Sequence, residues 1–381
     1  MDSWAGGVFE SPRVSAHIAE ARRFIASSDH RWDQINLNLL QTSPAAGQGR
    51  SHVDARVLTV EAIQDYLNHL QPHGVLTVIQ NSTELASRTH AAILAANGNR
   101  DDSILSFQLS EPTNPFSHLL IARNEAFTNA EVERLRSIAT DCDAVIATYP
   151  SLANPATDDR PFIFEPSKRI AIHALLAALL ALLILMVILA RERHTPGNPL
   201  SVTAGVLIGI ASTALQVLVI YRLQTALGSP ALSMGIGLAA VLGGSGLGAL
   251  FFGHFATAKF WPQCSMSAAT GVAVFVLFSP VLAEYCDTMN HTLAFITMGF
   301  FTVLTCLPIG LPFLAAIHSC KSISGHVEGL IIGCDGLGSI LGATGATALA
   351  MTAGFSMVGW TIVIGFVGVS VFRPQHDQSP G

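Results

Sequence analysis

From residue 170 to residue 372 the chain is a succession of apolar runs, each about 20 residues long, separated by short stretches containing Gly, Pro or an isolated charge. A helical run of that length covers the roughly 30 Å hydrocarbon layer of a bilayer and satisfies its backbone hydrogen bonds internally. Charge follows the same division. Residues 170–381 hold 6 of the 20 Lys/Arg and 6 of the 26 Asp/Glu, leaving this half neutral. Residues 1–169 hold the other 14 and 20, for a net charge of −6. The expected organisation is a soluble segment over 1–165 followed by an all-α multi-span transmembrane bundle over 166–381. Neither half is basic enough to suggest a nucleic-acid surface, so no nucleic-acid partner is expected.

Seven spans are expected, near 170–190, 200–221, 230–253, 265–284, 291–317, 327–351 and 355–372. The fifth carries Pro308 and Pro312, so a kink is expected there. Gly243, Gly244, Gly246 and Gly248, then Gly333, Gly336, Gly338, Gly342 and Gly345, crowd two of the spans. LGGSGLGAL lacks the spacing and the strand-turn-helix context of a nucleotide loop. Small residues that let helices approach explain it better, and Gly338/Gly342 have small-xxx-small spacing. Asp335 sits mid-span, where an ionised carboxylate costs at least about 2.5–3.5 kcal/mol. Gln216 and Arg222 are its nearest partners by residue type. It is either structural, as a buried hydrogen-bonding group or a helix-end residue that snorkels, or a transport or ligand residue. The six cysteines have no metal-ligand spacing, so neither a zinc site nor a disulfide framework is expected.

Residues 1–165 alternate short apolar strands with helices, the pattern of an α/β sheet layered with helices. PRVSAHIAE reads as a strand and ARRFIASS as a helical turn. WDQINLNLL is a strand and TVEAIQDYLNHL an amphipathic helix, with Val60, Ile63, Tyr66, Leu67 and Leu70 on one stripe. PHGVLTVIQ, SILSFQLS, HLLIARNEA and AVIATYP read as further strands. Residues 82–96 and NAEVERLRSIAT read as helices, the latter capped by Thr128 or Asn129.

Several of these stretches resemble bacterial membrane proteins in which a spermidine synthase-like domain is fused to transmembrane helices. The resemblance is carried by ESPRVSAHIAEARRFIASSDHRWDQINLNLL, by Leu70, Pro72, Gly74 and Leu76 leading into a strand, and by TVEA at 59–62. DDRPF at 158–162, LGSP at 227–230, LPIGLPF at 307–313 and IIGCDGLGSILGA at 331–343 extend it along the chain. In that last stretch an Asn is commoner than Asp335, and Gln216 and Tyr221 stand where Glu and Gln are expected. The resemblance implies a partial Rossmann-like α/β domain of class I methyltransferase type. It also implies group transfer from S-adenosylmethionine or its decarboxylated form to an amine, without a metal. Glu20 and Asp33 are then the cofactor-binding candidates, and Asp158 and Asp159 the polyamine-binding ones. The same adjacent carboxylates also fit a cap or an ion pair at the domain–membrane junction.

The resemblance further implies that the chain begins just before the family's third strand, without the Gly-rich loop that approaches the cofactor. The first strand then lacks a neighbour, leaving a raw sheet edge for a second chain to complete. Asn38 falls where the family's catalytic Asp stands, and Asn cannot take a proton from an ammonium. Activity of this chain alone is therefore expected to be impaired or lost. The alternatives are a transporter or channel-like protein with a vestigial or regulatory soluble module, and a non-catalytic assembly protein. The N-terminal stretch MDSWAGGVFESPR has no apolar h-region, so the expected location is the inner (plasma) membrane, multi-pass, with the N-terminal domain cytoplasmic. Flanking Lys/Arg give no clean orientation signal: Lys168, Arg169 and Arg222 lie on one side, Arg191, Arg193, Lys259, Lys321 and Arg373 on the other.

Overall fold

A computed structural model describes residues 11–17, 19–38, 56–110, 117–149, 154–162, 168–192, 198–287, 289–320 and 325–371. The N-terminal region contains α1 (Ala21–Ala26), β1 (Trp32–Leu37), α2 (Val60–Asn68), β2 (Leu70–Gln80) and α3 (Thr83–Ala96). There follow β3 (Ile104–Leu109), β4 (His118–Ala122), α4 (Asn129–Asp141) and β5 (Ala144–Ile146). The strands form one mixed sheet in the order β1-β2-β4-β3-β5. β1 and β2 are parallel, with Gln34 opposite Val75 and Leu37 opposite Val78. β4 is antiparallel to both its neighbours, pairing Leu76 with Ala122 and Ile104 with Ala122.

The apolar stripe of α2 explains why this sheet folds. Ile63, Tyr66, Leu67 and Leu70 are buried with Leu76, Val78, Leu85, Ile93 and Leu120 in a single core. Each fully buried large side chain contributes about 1.5–3 kcal/mol. Thr59 caps α2 and Ser82 caps α3. For α4 the cap is Thr128, in a reciprocal capping box with Glu131.

One strand expectation fails. Residues 14–17 and 19–20 are irregular rather than part of a strand over PRVSAHIAE, and β1 is the edge of the sheet among the described residues. An extended segment is held only by a ladder partner, and none lies beyond β1 among the described residues. The segment instead ends at Glu20, whose carboxylate accepts the Arg22 and Arg23 amides and caps α1.

The rest of the chain is helical: α5 (Lys168–Glu192), α6 (Asn198–Leu227), α7 (Pro230–Phe252), α8 (Trp261–Asp287) and α9 (His291–Cys306), then α10 (Leu311–Cys320), α11 (Gly325–Ala353) and α12 (Phe355–Val371). Five segments are long and apolar enough to cross a membrane: Thr203–Leu227, Ala231–Phe255, Trp261–Cys286, Thr292–Ser319 and Glu328–Ala353. Leu176–Ile188, within the 25-residue α5, and Phe355–Val371 are shorter apolar stretches, so five of the seven expected spans meet that length among the described residues. The fifth expected span breaks where its prolines require. A 3₁₀ turn, Leu307–Gly310, separates α9 from α10. Many large apolar side chains of these helices are exposed, including Leu183, Leu250, Phe251 and Ile364. Such surface is a liability in water and the norm against lipid. These helices make the chain a membrane protein.

Glycines set the closest helix contacts, but only some of those in the crowded stretches do so. Gly205 and Gly209 of α6 face Ile331 and Asp335 of α11, while Gly338 and Gly342 of α11 face Val206 and Ile210. A Cβ at Gly209, Gly338 or Gly342 would overlap a facing backbone carbonyl. Residue numbers rise together on both helices, so α6 and α11 run parallel. Gly244 and Gly248 likewise seat α7 against Val303 and Leu307. Gly243, Gly246, Gly333, Gly336 and Gly345 meet nothing within 4 Å.

Candidate functional site

The Asp158–Asp159 pair lies on a tight turn closed by Thr157 and Arg160, whose backbones bond each other at 3.2 and 2.9 Å. The turn sends the adjacent carboxylates to opposite halves of the molecule. Asp158 Oδ1 accepts Arg22 Nη1 and Thr59 Oγ1, each at 2.7 Å, and the Asp158 amide donates to Glu61 Oε2 at 2.9 Å. Asp159 Oδ1 accepts Arg222 Nη2 at 3.0 Å from α6, and the Ser356 amide and hydroxyl at 2.8 and 2.7 Å from the first turn of α12. A negative charge there also suits the helix dipole. Gly354, at φ 90°, makes this approach feasible, because a side chain there would overlap the Asp159 carboxylate.

Neighbouring residues reinforce the junction. Arg23 donates to the carbonyls of Ala226 at the end of α6, of Cys286 in the last turn of α8 and of Met289 just beyond it. It thus supplies a cation where helix C-termini leave carbonyls unpaired. Tyr221 donates its hydroxyl to the Asp158 carbonyl at 2.7 Å and stacks on Phe355 with ring centroids 3.5 Å apart. The Arg56 guanidinium lies 4.6 Å from the Tyr221 ring centroid.

Between these contacts lies a cleft of about 610 Å³, bounded by α1, α2, the 157–160 turn, α6, α8 and α12. Among the described residues its walls carry five carboxylates, from Glu61, Asp65, Asp158, Asp159 and Glu284, against two guanidinium groups, from Arg22 and Arg222. Arg22 is held between Asp65 at 2.9 Å and Asp158 at 2.7 Å. Burial raises Glu61 above its ordinary value near 4.5, and the neighbouring Asp158 charge adds to the effect. Asp65 is also raised by burial, partly offset by Arg22. An acidic, partly desolvated cleft of this kind favours a cationic guest. Cation binding relieves carboxylate repulsion and makes charge-assisted hydrogen bonds. A second cavity, of about 280 Å³ between β3, β4 and α4, is lined by Phe107, Leu119, Ile121 and Ile138 and offers almost purely apolar surface.

Of the candidates named from sequence, Asp158, Asp159 and Arg222 meet in the acidic cleft. Glu20 lies at the same junction against Gly228, its carboxylate committed to capping α1. Asp33 is exposed on β1. Gln216 is half-buried on α6. The Asp335 backbone packs against Gly209 at the tight α6–α11 crossing. Arg222 lies thirteen residues further along α6, about 20 Å at helical rise, and pairs with Asp159 instead. The pairing of Asp335 with Arg222 is therefore excluded. Among the described residues no group of His, Cys, Asp or Glu is arranged to hold a metal ion.

The residues missing from the sequence reading are Arg22 as an ion-pair partner, Glu61, Asp65 and Glu284. A signal for two of them was present. Glu61, Gln64, Asp65 and Asn68 recur at helical spacing on the polar face of α2, opposite its apolar stripe. Glu284 had no such signal, because its neighbours come from other elements. No protein-family model matches this chain, and no curated protein matches it either, so the cleft itself carries the functional reading.

Proposed function

We propose that this chain is a membrane protein of the spermidine synthase-like type whose junction cleft recognises an amine cation. The carrying observation is the 610 Å³ cleft walled by Glu61, Asp65, Asp158, Asp159 and Glu284. Its two arginines leave an excess of negative charge, which a polyamine offsets. The spermidine synthase-like part is supported by the fold of the N-terminal region. β1, α2 and β2 make a parallel β-α-β unit, and β4 is inserted antiparallel beside it. That arrangement suits one half of a class I methyltransferase-type sheet, with the open edge of β1 left for a second chain or further strands.

In this reading, transfer from S-adenosylmethionine or its decarboxylated form is the ancestral chemistry, and amine recognition is what the described residues retain. Asn38, exposed just after β1, replaces the base that deprotonates the amine. Glu20 is occupied as a cap. Calorimetric titration of the full chain in detergent with spermidine, S-adenosylmethionine and decarboxylated S-adenosylmethionine tests each part. Saturable spermidine binding with weak or no donor binding is expected. Donor binding without spermidine binding would reject amine recognition at the cleft.

A transport reading rests on a different observation. Asp335 lies on α11 with no hydrogen bond or ion pair to its side chain among the described residues, in a segment apolar enough to span. It requires that Asp335→Asn alter proton-coupled or cation flux in proteoliposomes, and unchanged flux would dismiss it.

A further inference from the structure

The acidic cleft opens beside the lipid-facing wall of the bundle. Pro280 and Glu284 line it from α8. On the same helix Leu277, Phe278, Val281 and Tyr285 are 56%, 57%, 64% and 61% exposed, forming apolar surface that runs from the cleft toward the middle of the span. Ser356 lines the cleft from α12, which packs against α8, and Trp360 lies exposed about one turn further along. Tyr and Trp at this depth are the side chains that settle at the headgroup layer. The cleft therefore stands where the polar and apolar parts of a lipid meet.

The positive part of the cleft has an unmet requirement. Arg222 has a side chain only 7% exposed, and its Nη2 is held by Asp159 and Ser356. Its Nε, however, has no hydrogen-bond partner among the described residues. A buried guanidinium N–H asks for an acceptor, and phosphate is the acceptor whose geometry suits it best.

Building on the amine-binding reading, we propose that the cleft's amine is borne by the bilayer, as the headgroup of a zwitterionic aminophospholipid. Its ammonium lies among Glu61, Asp65 and Glu284, its phosphate at Arg222, and its chains along Leu277, Phe278 and Val281 of α8. The primary ammonium donates three hydrogen bonds to carboxylates, whereas a trimethylated choline donates none. The site therefore separates ethanolamine from choline lipids that share one phosphate.

The test is native mass spectrometry of the full chain from mixed micelles holding equal phosphatidylethanolamine and phosphatidylcholine, with spermidine added in steps. The expected result is retention of the ethanolamine lipid about tenfold over the choline lipid, the effect of one charge-assisted hydrogen bond. Spermidine should displace it, and Glu284→Gln and Glu61→Gln should each reduce the preference. Equal retention of both lipids, or a preference indifferent to both substitutions, would overturn the proposal. A long-chain primary alkylamine held as tightly as the ethanolamine lipid would overturn the place of the phosphate at Arg222. Spermidine binding without lipid preference rejects this inference alone. Absence of both rejects the amine-binding reading with it.

Discussion

Asp159→Ala tests the junction most sharply. Among the described residues the carboxylate is the only acidic partner of Arg222, a guanidinium in a side chain 7% exposed, and it also receives two bonds from Ser356. Removing one partner of a fully buried ion pair costs about 3–5 kcal/mol. Here the Asp159 side chain is 38% exposed, so water screens part of the interaction, and about 2 kcal/mol is the appropriate share. Loss of the bonds at the first turn of α12 adds about 1 kcal/mol. The variant should therefore be destabilised by about 3 kcal/mol. Arg222→Met in the same background should recover part of that loss, because no unpaired buried charge remains. The resulting cycle should be non-additive by about 1–2 kcal/mol. Unfolding in graded denaturing detergent, followed by thiol labelling, gives the readout, since the thiols of Cys264, Cys306 and Cys334 are buried. Asp159→Ala within about 0.5 kcal/mol of the parent, or strictly additive substitutions, would refute the junction's role.

The α6–α11 crossing should separate glycines that look alike in sequence. Gly338→Ala should destabilise the bundle by about 1–3 kcal/mol through backbone displacement, while Gly336→Ala, facing open space, should be neutral or stabilising in the same unfolding assay. Glu61 has a raised native pKa, so the stability it contributes is complete below its ordinary value near 4.5 and is lost as pH rises through the raised value. Spermidine affinity should move the opposite way, rising over that window with proton release, and Glu61→Gln should flatten both profiles in calorimetry across pH. Thr128→Ala should cost about 1 kcal/mol by removing the α4 cap. It should also weaken the acid sensitivity of this helix, because Glu131, held down at about 2 by Arg123 and then by Thr128, contributes stability that is lost only as pH falls toward that value. Hydrogen exchange of α4 amides checks both effects.

The helices were readable because local signals suffice for them. Twenty apolar residues in a row, prolines at 308 and 312, and a stripe from Val60 to Leu70 each leave few alternatives. The expected strand over PRVSAHIAE had an acceptable local pattern, but a strand depends on a partner that local sequence does not specify. Glycine density overstated the packing role for the same reason: Gly338 and Gly336 differ only in the direction each faces. The cleft was half visible. Asp158 and Asp159 stood out as a pair, yet their division between Arg22 and Arg222 depends on a turn whose neighbours lie 136 and 63 residues away. Asp335 attracted attention as an intramembrane acid, while the bundle places the arginine some 20 Å off, a separation fixed by the parallel run of α6 and α11.

Equilibrium binding of labelled spermidine to the full chain, beside the Glu61→Gln/Asp65→Asn double variant, addresses amine recognition most directly. Both substituted residues line the cleft on the polar face of α2, away from its buried stripe, so the fold should survive and thiol labelling can verify it. Saturable binding by the parent that weakens at least about tenfold in the variant is the expected result. No binding by folded parent, or undiminished binding by the folded variant, would contradict the assignment of the cleft as an amine site.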